Sequence, residues 1–300
     1  MKRTNFLSLI AVIALLTSVS FTSCKPTEPD PNAGKTDPST IAKTDLVAYF
    51  PFNGNGNDSI TGMTPTNQPN VTYVTARRKS GYKGVDNAYF LYNLASTSKL
   101  KTLKAFAVAM WINEPQIPSE QAPVPMILQI GKDDDLFWGN LALTQDRMGS
   151  ATAPVDSLNF KMMILKNGAP WNMQWLTPIS TPAIKAAKWM HIIFEYDNVS
   201  STFSVYVNGA KLALSDGLAK RFSDAAPATG VQPALGDLAF DKASKMVIGG
   251  WMTKVNQTPP ATDDWMGWFN GTMDELRIYD RALTATEAKD LYDAEVTQLN

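Results

Sequence analysis

Chemistry-bearing residues are scarce in this 300-residue chain, which has one cysteine and one histidine. The lone Cys24 excludes an internal disulfide. The lone His191 excludes a histidine-rich zinc site and leaves one centre for a Ser-His-acid triad, around which no nucleophile motif stands. A packing or hydrogen-bonding role is expected for it. Neither sign of charge is in excess: 27 Lys and Arg face 28 Asp and Glu, for a net charge of -1. So balanced a chain has no long-range attraction for nucleic acid or an anionic lipid surface. The run NGNGN (53–57) lacks the Lys-Ser/Thr of a P-loop and a complete dinucleotide fingerprint. Asp133-Asp134-Asp135 lacks EF-hand spacing, so it reads as a solvated turn before a second cation site. The N-terminal apolar run, residues 6–16, is too short for an ordinary membrane span.

That run has informative neighbours. Basic Met1-Lys2-Arg3 precedes it and small polar residues lead from it to Ser23-Cys24, the order of a secretory signal. Cys24 resembles the lipidated first residue of a mature bacterial lipoprotein, although Phe21 stands where Leu is common. Acyl chains there would bury in a membrane at about 0.8 kcal/mol per CH₂. Residues 1–23 are therefore expected to be a lipoprotein signal peptide, with a soluble secreted protein as the alternative. Residues 24–44 contain four prolines and few apolar side chains, which reads as a flexible tether. The folded domain is expected over residues 45–300. Glu28 and Asp30 soon after the cysteine resemble surface lipoproteins of the Bacteroidetes type, so an outward-facing outer-membrane location is expected, with the periplasmic side as the alternative.

What the chain has in quantity is turn formers and strand formers, including 18 glycines and 19 prolines. Phe106, Val108, Met110 and Ile112 alternate with Ala107, Ala109 and Trp111, as in a strand with one packed face. In NFKMMILKNGAPWNMQWL two strand-like pieces flank Asn167-Gly168. In KWMHIIFEYDNVSSTFSVYVNGAKLAL two antiparallel strands meet and Asn208-Gly209 reverses the chain again. Residues 215–237 read as an extended loop. FNGTMDELRIYDRAL reads as a last strand with a bulge, then a helix capped by Thr284 and Glu287 at capping-box spacing.

LVAYFPFNGNGNDS, AFAVAMWI, WMHIIFEYD with FSVYVNGAKL, and FNGTMDELRIYDRALTATE, in this order, resemble bacterial laminin-G-like jelly-roll domains of the concanavalin A-like lectin/glucanase superfamily. The resemblance spans residues 46–292. It implies an all-β fold, two facing antiparallel sheets in a jelly-roll sandwich, with a short C-terminal helix. It also implies a structural calcium ion near the joined chain ends, for which Asp58 and Asp274 are the matching carboxylates. Relatives serve as sugar-binding or adhesion modules, and some are glycoside hydrolases or lyases. Fold follows from such a likeness more securely than activity.

The enzymatic reading rests on Glu195-Tyr196-Asp197, part of the E-x-D-x-x-E strand pattern of sugar-cleaving relatives, whose third acid is replaced here by Ser200. Ordinary strand-end acids are the plainer reading. Aromatics argue better for recognition, since flat sugar faces lie against rings while Asn, Asp and Gln bond hydroxyls. Trp111 and Trp189 sit within strands and are assigned to packing. Trp171 and Trp175 fall in a hairpin, and Trp251, Trp265 and Trp268 around late loops. Trp265 and Trp268, with Asp263 and Asp264 beside them, are the preferred ligand-binding residues. The function expected is thus non-catalytic binding of a polysaccharide or other glycan. Adhesion to a protein partner is the alternative, and hydrolysis or lysis of a glycan comes third.

Overall fold

The computed structural model describes residues 36–115, 123–132, 137–147, 156–179, 183–256, 260 and 262–297. The expected signal peptide, Cys24 and the Asp133-Asp134-Asp135 run lie outside the described residues. In chain order the strands are β1 (Leu46–Phe50), β2 (Thr72–Thr75), β3 (Ser80–Lys83), β4 (Phe90–Asn93), β5 (Phe106–Asn113), β6 (Val124–Gly131), β7 (Leu141–Asp146) and β8 (Asn159–Leu165). They continue as β9 (Met173–Ile179), β10 (Met190–Asp197), β11 (Thr202–Val207), β12 (Ala210–Lys211), β13 (Lys245–Ile248), β14 (Met266–Gly267) and β15 (Thr272–Tyr279). The helices are α1 (Asp216–Ala219), α2 (Met252–Val255) and α3 (Ala285–Thr297).

One sheet runs β12-β11-β10-β5-β15-β3-β2, with β1 also on β15; the other runs β4-β13-β6-β7-β8-β9, with β14 on β6. Strand pairing is antiparallel except between β14 and β6. The fold is all-β, two antiparallel sheets in a jelly-roll sandwich closed by the C-terminal helix, as the sequence leads one to expect. Asn208 and Gly209, both at positive φ (49° and 76°), turn β11 into β12. Residues 215–237 are more structured than a bare loop, since they hold α1 and two isolated bridges.

The core lies between the sheets. Phe106, Val108, Met110 and Ile112 of β5 meet Ile127, Leu128 and Ile130 of β6 there. The opening YFPF sends Phe50 and Phe52 into the same core, where Phe52 contacts the rings of Phe90 (5.5 Å) and Tyr82 (5.8 Å). The glycine-rich run then closes over that end of the core. The Tyr92 hydroxyl donates to the Gly56 carbonyl at 2.7 Å, and a β-carbon at Gly56 would collide with the Phe90 ring.

The eight-stranded sheet is buried on its outer face as well, which the alternation of β5 does not show. Ala107 and Ala109 are fully buried beneath Ala288, Leu291 and Ala294 of α3. Small side chains in β5 leave room for a helix to lie flat across the strands. The helix start is the expected capping box: Glu287 N–H donates to Thr284 Oγ1 (3.1 Å) and Thr284 N–H to Glu287 Oε2 (2.8 Å). Ile41, 8% exposed, joins this helix layer, and Asp37 caps a short turn at Pro38–Thr40 through Ser39 N–H (2.9 Å). Folded structure therefore reaches back past Asp45 into residues 36–44, which composition alone assigns to the tether.

Beneath α3 sits a buried ionic network. A bulge in β15 between Asp274 and Arg277, with Glu275 at φ 54°, places Glu275 and Arg277 under the helix. Arg277 Nη2 meets Glu275 Oε2 at 2.8 Å and its Nη1 meets Glu295 Oε1. Glu275 also accepts from the Tyr49 hydroxyl (2.7 Å) and Arg78 Nη1 (3.0 Å), and Glu295 from Trp111 Nε1 (2.7 Å). Burial works against the guanidinium charge, but Glu295 and Glu275 outweigh it and hold the Arg277 pKa above its usual value. Arg277→Met would leave two buried carboxylates short of a partner, a loss of about 3–5 kcal/mol. Urea unfolding should show it; a loss under ~1 kcal/mol would mean the network contributes no more than a surface pair.

Candidate functional site

The second sheet has an outer face too, and aromatic rings collect on it. In β7 and β8, Leu141, Leu143, Phe160, Met162 and Ile164 enter the core, so the alternate Ala142, Lys161 and Met163 face away from it. Trp175 of β9 joins them. The segment after β13 then folds across this face. Trp251 Nε1 donates to the Val124 carbonyl (2.8 Å), Met252 N–H to Gln129 Oε1 (2.7 Å), and Val124 N–H to the Trp265 carbonyl (2.7 Å). These bonds seat Trp251 and Trp265 beside Phe137 and Trp138 from the loop before β7.

The result is a five-ring cluster. Ring centroids lie 5.0 Å apart for Trp251–Trp265, 5.3 Å for Trp138–Trp251, 5.4 Å for Phe137–Trp265 and 5.8 Å for Trp138–Trp175. Trp251 is fully buried and forms the floor; Phe137, Trp138, Trp175 and Trp265 are half-buried. Lys161 Nζ stands 4.7 Å from the Trp175 ring centroid and 5.0 Å from that of Trp138, within cation–π range. Its partner carboxylate, Asp146, is 4.0 Å away. The patch thus offers flat apolar ring surface with one cation and one carboxylate among the rings.

Of the residues expected from sequence, the structure brings Trp265 into this cluster and Trp268 elsewhere. Trp268 stacks on Tyr89 (5.7 Å, 14°), with Lys254 Nζ 5.5 Å from its centroid. Asp263 and Asp264 are exposed in the turn before Trp265. Trp111 is buried under α3 beside His191 and Tyr292, and Trp189, half-buried, lies just before β10 and not within a strand. Trp138, Phe137 and Lys161 escape a reading by segment. LFWGN reads as a strand fragment and Lys161 as one polar residue in an apolar strand, and nothing local says they meet.

The acids of β10 are occupied. Glu195 Oε2 accepts Leu283 N–H (3.0 Å) at the entry to α3, and Asp197 accepts from Val199 N–H (3.0 Å) and Ser200 Oγ (2.6 Å) in the following turn. Each carboxylate shapes backbone where a glycosidase would need it facing a substrate. His191 is fully buried between the rings of Trp111 (5.3 Å) and Tyr292 (6.1 Å). Burial drives its pKa down to about 3, so it is a neutral packing group.

Asp58 and Asp274 are both buried. Asp58 receives four donors: Tyr49 N–H (2.8 Å), Ile60 N–H (3.0 Å), Thr61 N–H (3.2 Å) and the Thr61 hydroxyl. Asp274 Oδ2 accepts Arg78 N–H (2.7 Å), while its Oδ1 has no hydrogen-bond partner among the described residues. Among the described residues no group of three or more His, Cys, Asp or Glu is placed to hold a metal ion.

The chain's fold has counterparts among solved structures. The receptor-binding domain of botulinum neurotoxin type G superposes with a TM-score of 0.53 at 12% identity, over 83% of this chain and 51% of that one. The binding domain of botulinum neurotoxin DC in complex with rat synaptotagmin II gives 0.55 at 10% identity, over 85% and 52%. A structure of botulinum neurotoxin type C, whose cell entry is dependent upon interaction with two ganglioside molecules, gives 0.56 at 10%, over 86% and 53%. This chain spans about half the length of each. At these identities the likeness is one of fold. No protein-family model matches the chain, and no curated protein does.

One buried acid stands apart. Glu114, just past β5, is fully buried, neither carboxylate oxygen has a partner among the described residues, and burial pushes its pKa up to about 8. A carboxyl whose folded pKa is raised stabilises the fold below its unfolded pKa, and that contribution is lost as pH rises through the folded value. Wild-type stability to urea should therefore fall between about pH 5 and about pH 8, and Glu114→Gln should flatten the fall. Parallel profiles for the two proteins would refute the assignment.

Proposed function

We propose that this protein is a non-catalytic glycan-binding domain held at the outer cell surface, and that the aromatic patch on the seven-stranded sheet is its contact surface. The observation that carries the reading is the convergence of Phe137, Trp138, Trp175 and Trp265, all half-buried, around Lys161. Half-buried rings on a buried Trp251 floor are held rigid yet present faces and edges to solvent. A pyranose can lay its C–H face on such rings while Lys161, Asp146, Asp263 and Asp264 meet its hydroxyls. Binding without cleavage is supported by the use of Glu195 and Asp197 as backbone acceptors. A protein partner is the competing occupant; the small, charge-interrupted ring surface favours a sugar over a broad apolar docking face.

Lipidation of Cys24 and an outward-facing position in the outer membrane belong to the same proposal, resting on the N-terminal signal and its following cysteine. On a glycan array the domain should retain at least one polysaccharide class, and Trp138→Ala or Trp175→Ala should each weaken it about tenfold, ~1.4 kcal/mol. Cys24→Ser should release the protein from the membrane fraction with affinity unchanged. Retention that is indifferent to both tryptophans would sink the patch, and oligosaccharide products from the bound glycan would make the protein an enzyme.

Calcium enters the proposal in a narrower form than a pair of free carboxylates. Asp274 Oδ1, buried and without a hydrogen-bond partner among the described residues, would gain one in a hard cation that also offsets the burial holding its pKa up at about 8, whereas Asp58 would have to exchange its present donors. Bound calcium should raise the thermal midpoint of the wild type over that in chelator, and Asp274→Asn should abolish the difference. Identical midpoints together with no metal by elemental analysis would remove the ion from the account.

A further inference from the structure

The sandwich also has a cleft, away from the aromatic patch. Among the described strands β1 pairs with β15 alone, and β4 pairs with β13 on one side and bridges Asn67 through Leu91 on the other, so each lies at the margin of its sheet. Where these edges approach, the loops 58–64 and 93–99 stand apart and enclose a cleft of about 660 Å³. That volume lies within the ~300–1,000 Å³ usual for small-molecule sites.

Both walls are fixed from behind. The four donors on Asp58 hold the first loop, and Ser59 N–H binds the Tyr49 carbonyl at 2.8 Å along the free edge of β1. The second loop is held by Leu94 N–H on the Ser244 carbonyl (2.8 Å) and Ser98 N–H on the Ala95 carbonyl (3.0 Å). Among the described residues no hydrogen bond joins one wall to the other across the opening. Gly62, at φ 75°, has nothing within 4 Å of where a β-carbon would point. The cleft is therefore preformed.

Its lining has a definite chemistry. Val47, Ile60 and Met63 supply aliphatic surface, of which Ile60, 47% exposed, presents the most to solvent. Thr64, Thr97 and Ser98 supply hydroxyls that make no hydrogen bond among the described residues. The one charged residue in the lining, Lys99, is neutralised by Asp280 at 2.7 Å. Free hydroxyls that both donate and accept, aliphatic surface and no net charge match a ligand that is itself hydroxylated, apolar on one face and neutral.

We propose that this cleft is a second ligand site, which takes one or two neutral sugar units. It shares no residue with the aromatic patch, so it stands whether or not that patch binds glycan. The test is saturation-transfer NMR on the full chain with glucose, galactose, N-acetylglucosamine, maltose and cellobiose, and with glucuronic acid as the charged control. At least one neutral sugar should receive saturation, and glucuronic acid should not. Thr97→Trp, an exposed position that would fill the cleft, should weaken the interaction about tenfold or more, while Trp138→Ala leaves it intact. Thr64→Trp from the opposite wall serves if the first variant unfolds. No transfer from any neutral sugar, or transfer that survives the filled cleft, overturns the proposal. Transfer lost in Trp138→Ala and kept in Thr97→Trp would assign all sugar binding to the patch.

Discussion

The guanidinium of Arg277 is the constraint around which much of the molecule is arranged. It is fully buried, and a buried charge is tolerated only where opposite charges and hydrogen bonds surround it. Those partners come from distant parts of the chain. Glu275 lies on the same strand, Glu295 on the terminal helix, and Tyr49 on the first strand, with its ring 4.1 Å below the guanidinium. Arg78 adds a second positive charge to balance the second carboxylate. Satisfying one arginine therefore requires first strand, last strand and last helix together. The network selects one arrangement of the chain ends over others of similar hydrophobic content.

This explains why the DELRIYDRAL block is conspicuous in the sequence while its meaning is not. Its alternation shows a strand, and its Glu287 shows the helix cap, because both are local patterns with a period of two residues or a spacing of three. The hairpin at Asn208-Gly209 is legible for the same reason, since a tight turn needs two residues at positive φ. The burial of Ala107 and Ala109 on the supposedly open face is not legible. It depends on a helix nearly two hundred residues away, and the bond from Trp111 to Glu295 spans 184 positions. Nothing in AFAVAMWI announces that separation.

The aromatic patch shows the same limit from the side of function. Trp265 could be nominated from a loop rich in Trp and Asp, but Trp268, three residues later, goes to a different cluster. The short β14 lies between them and separates their surroundings. Trp138 and Lys161 belong to the patch only because β7 and β8 are neighbours and because the chain after β13 crosses them. Composition supplies the rings; sheet order decides which of them meet. The NGNGN run closes the core through Gly56, and the residues that follow it, 58–64, form one wall of the edge cleft.

Ile41 packs with α3 on the outer face of the eight-stranded sheet, whereas the ring cluster lies on the outer face of the other sheet. The whole thickness of the sandwich, ~10 Å between sheets and more with side chains and helix, separates the point where the chain enters the fold from the rings. The helix-covered face and the ring-bearing face therefore point in opposite directions, and a partner on one leaves the other open to the medium.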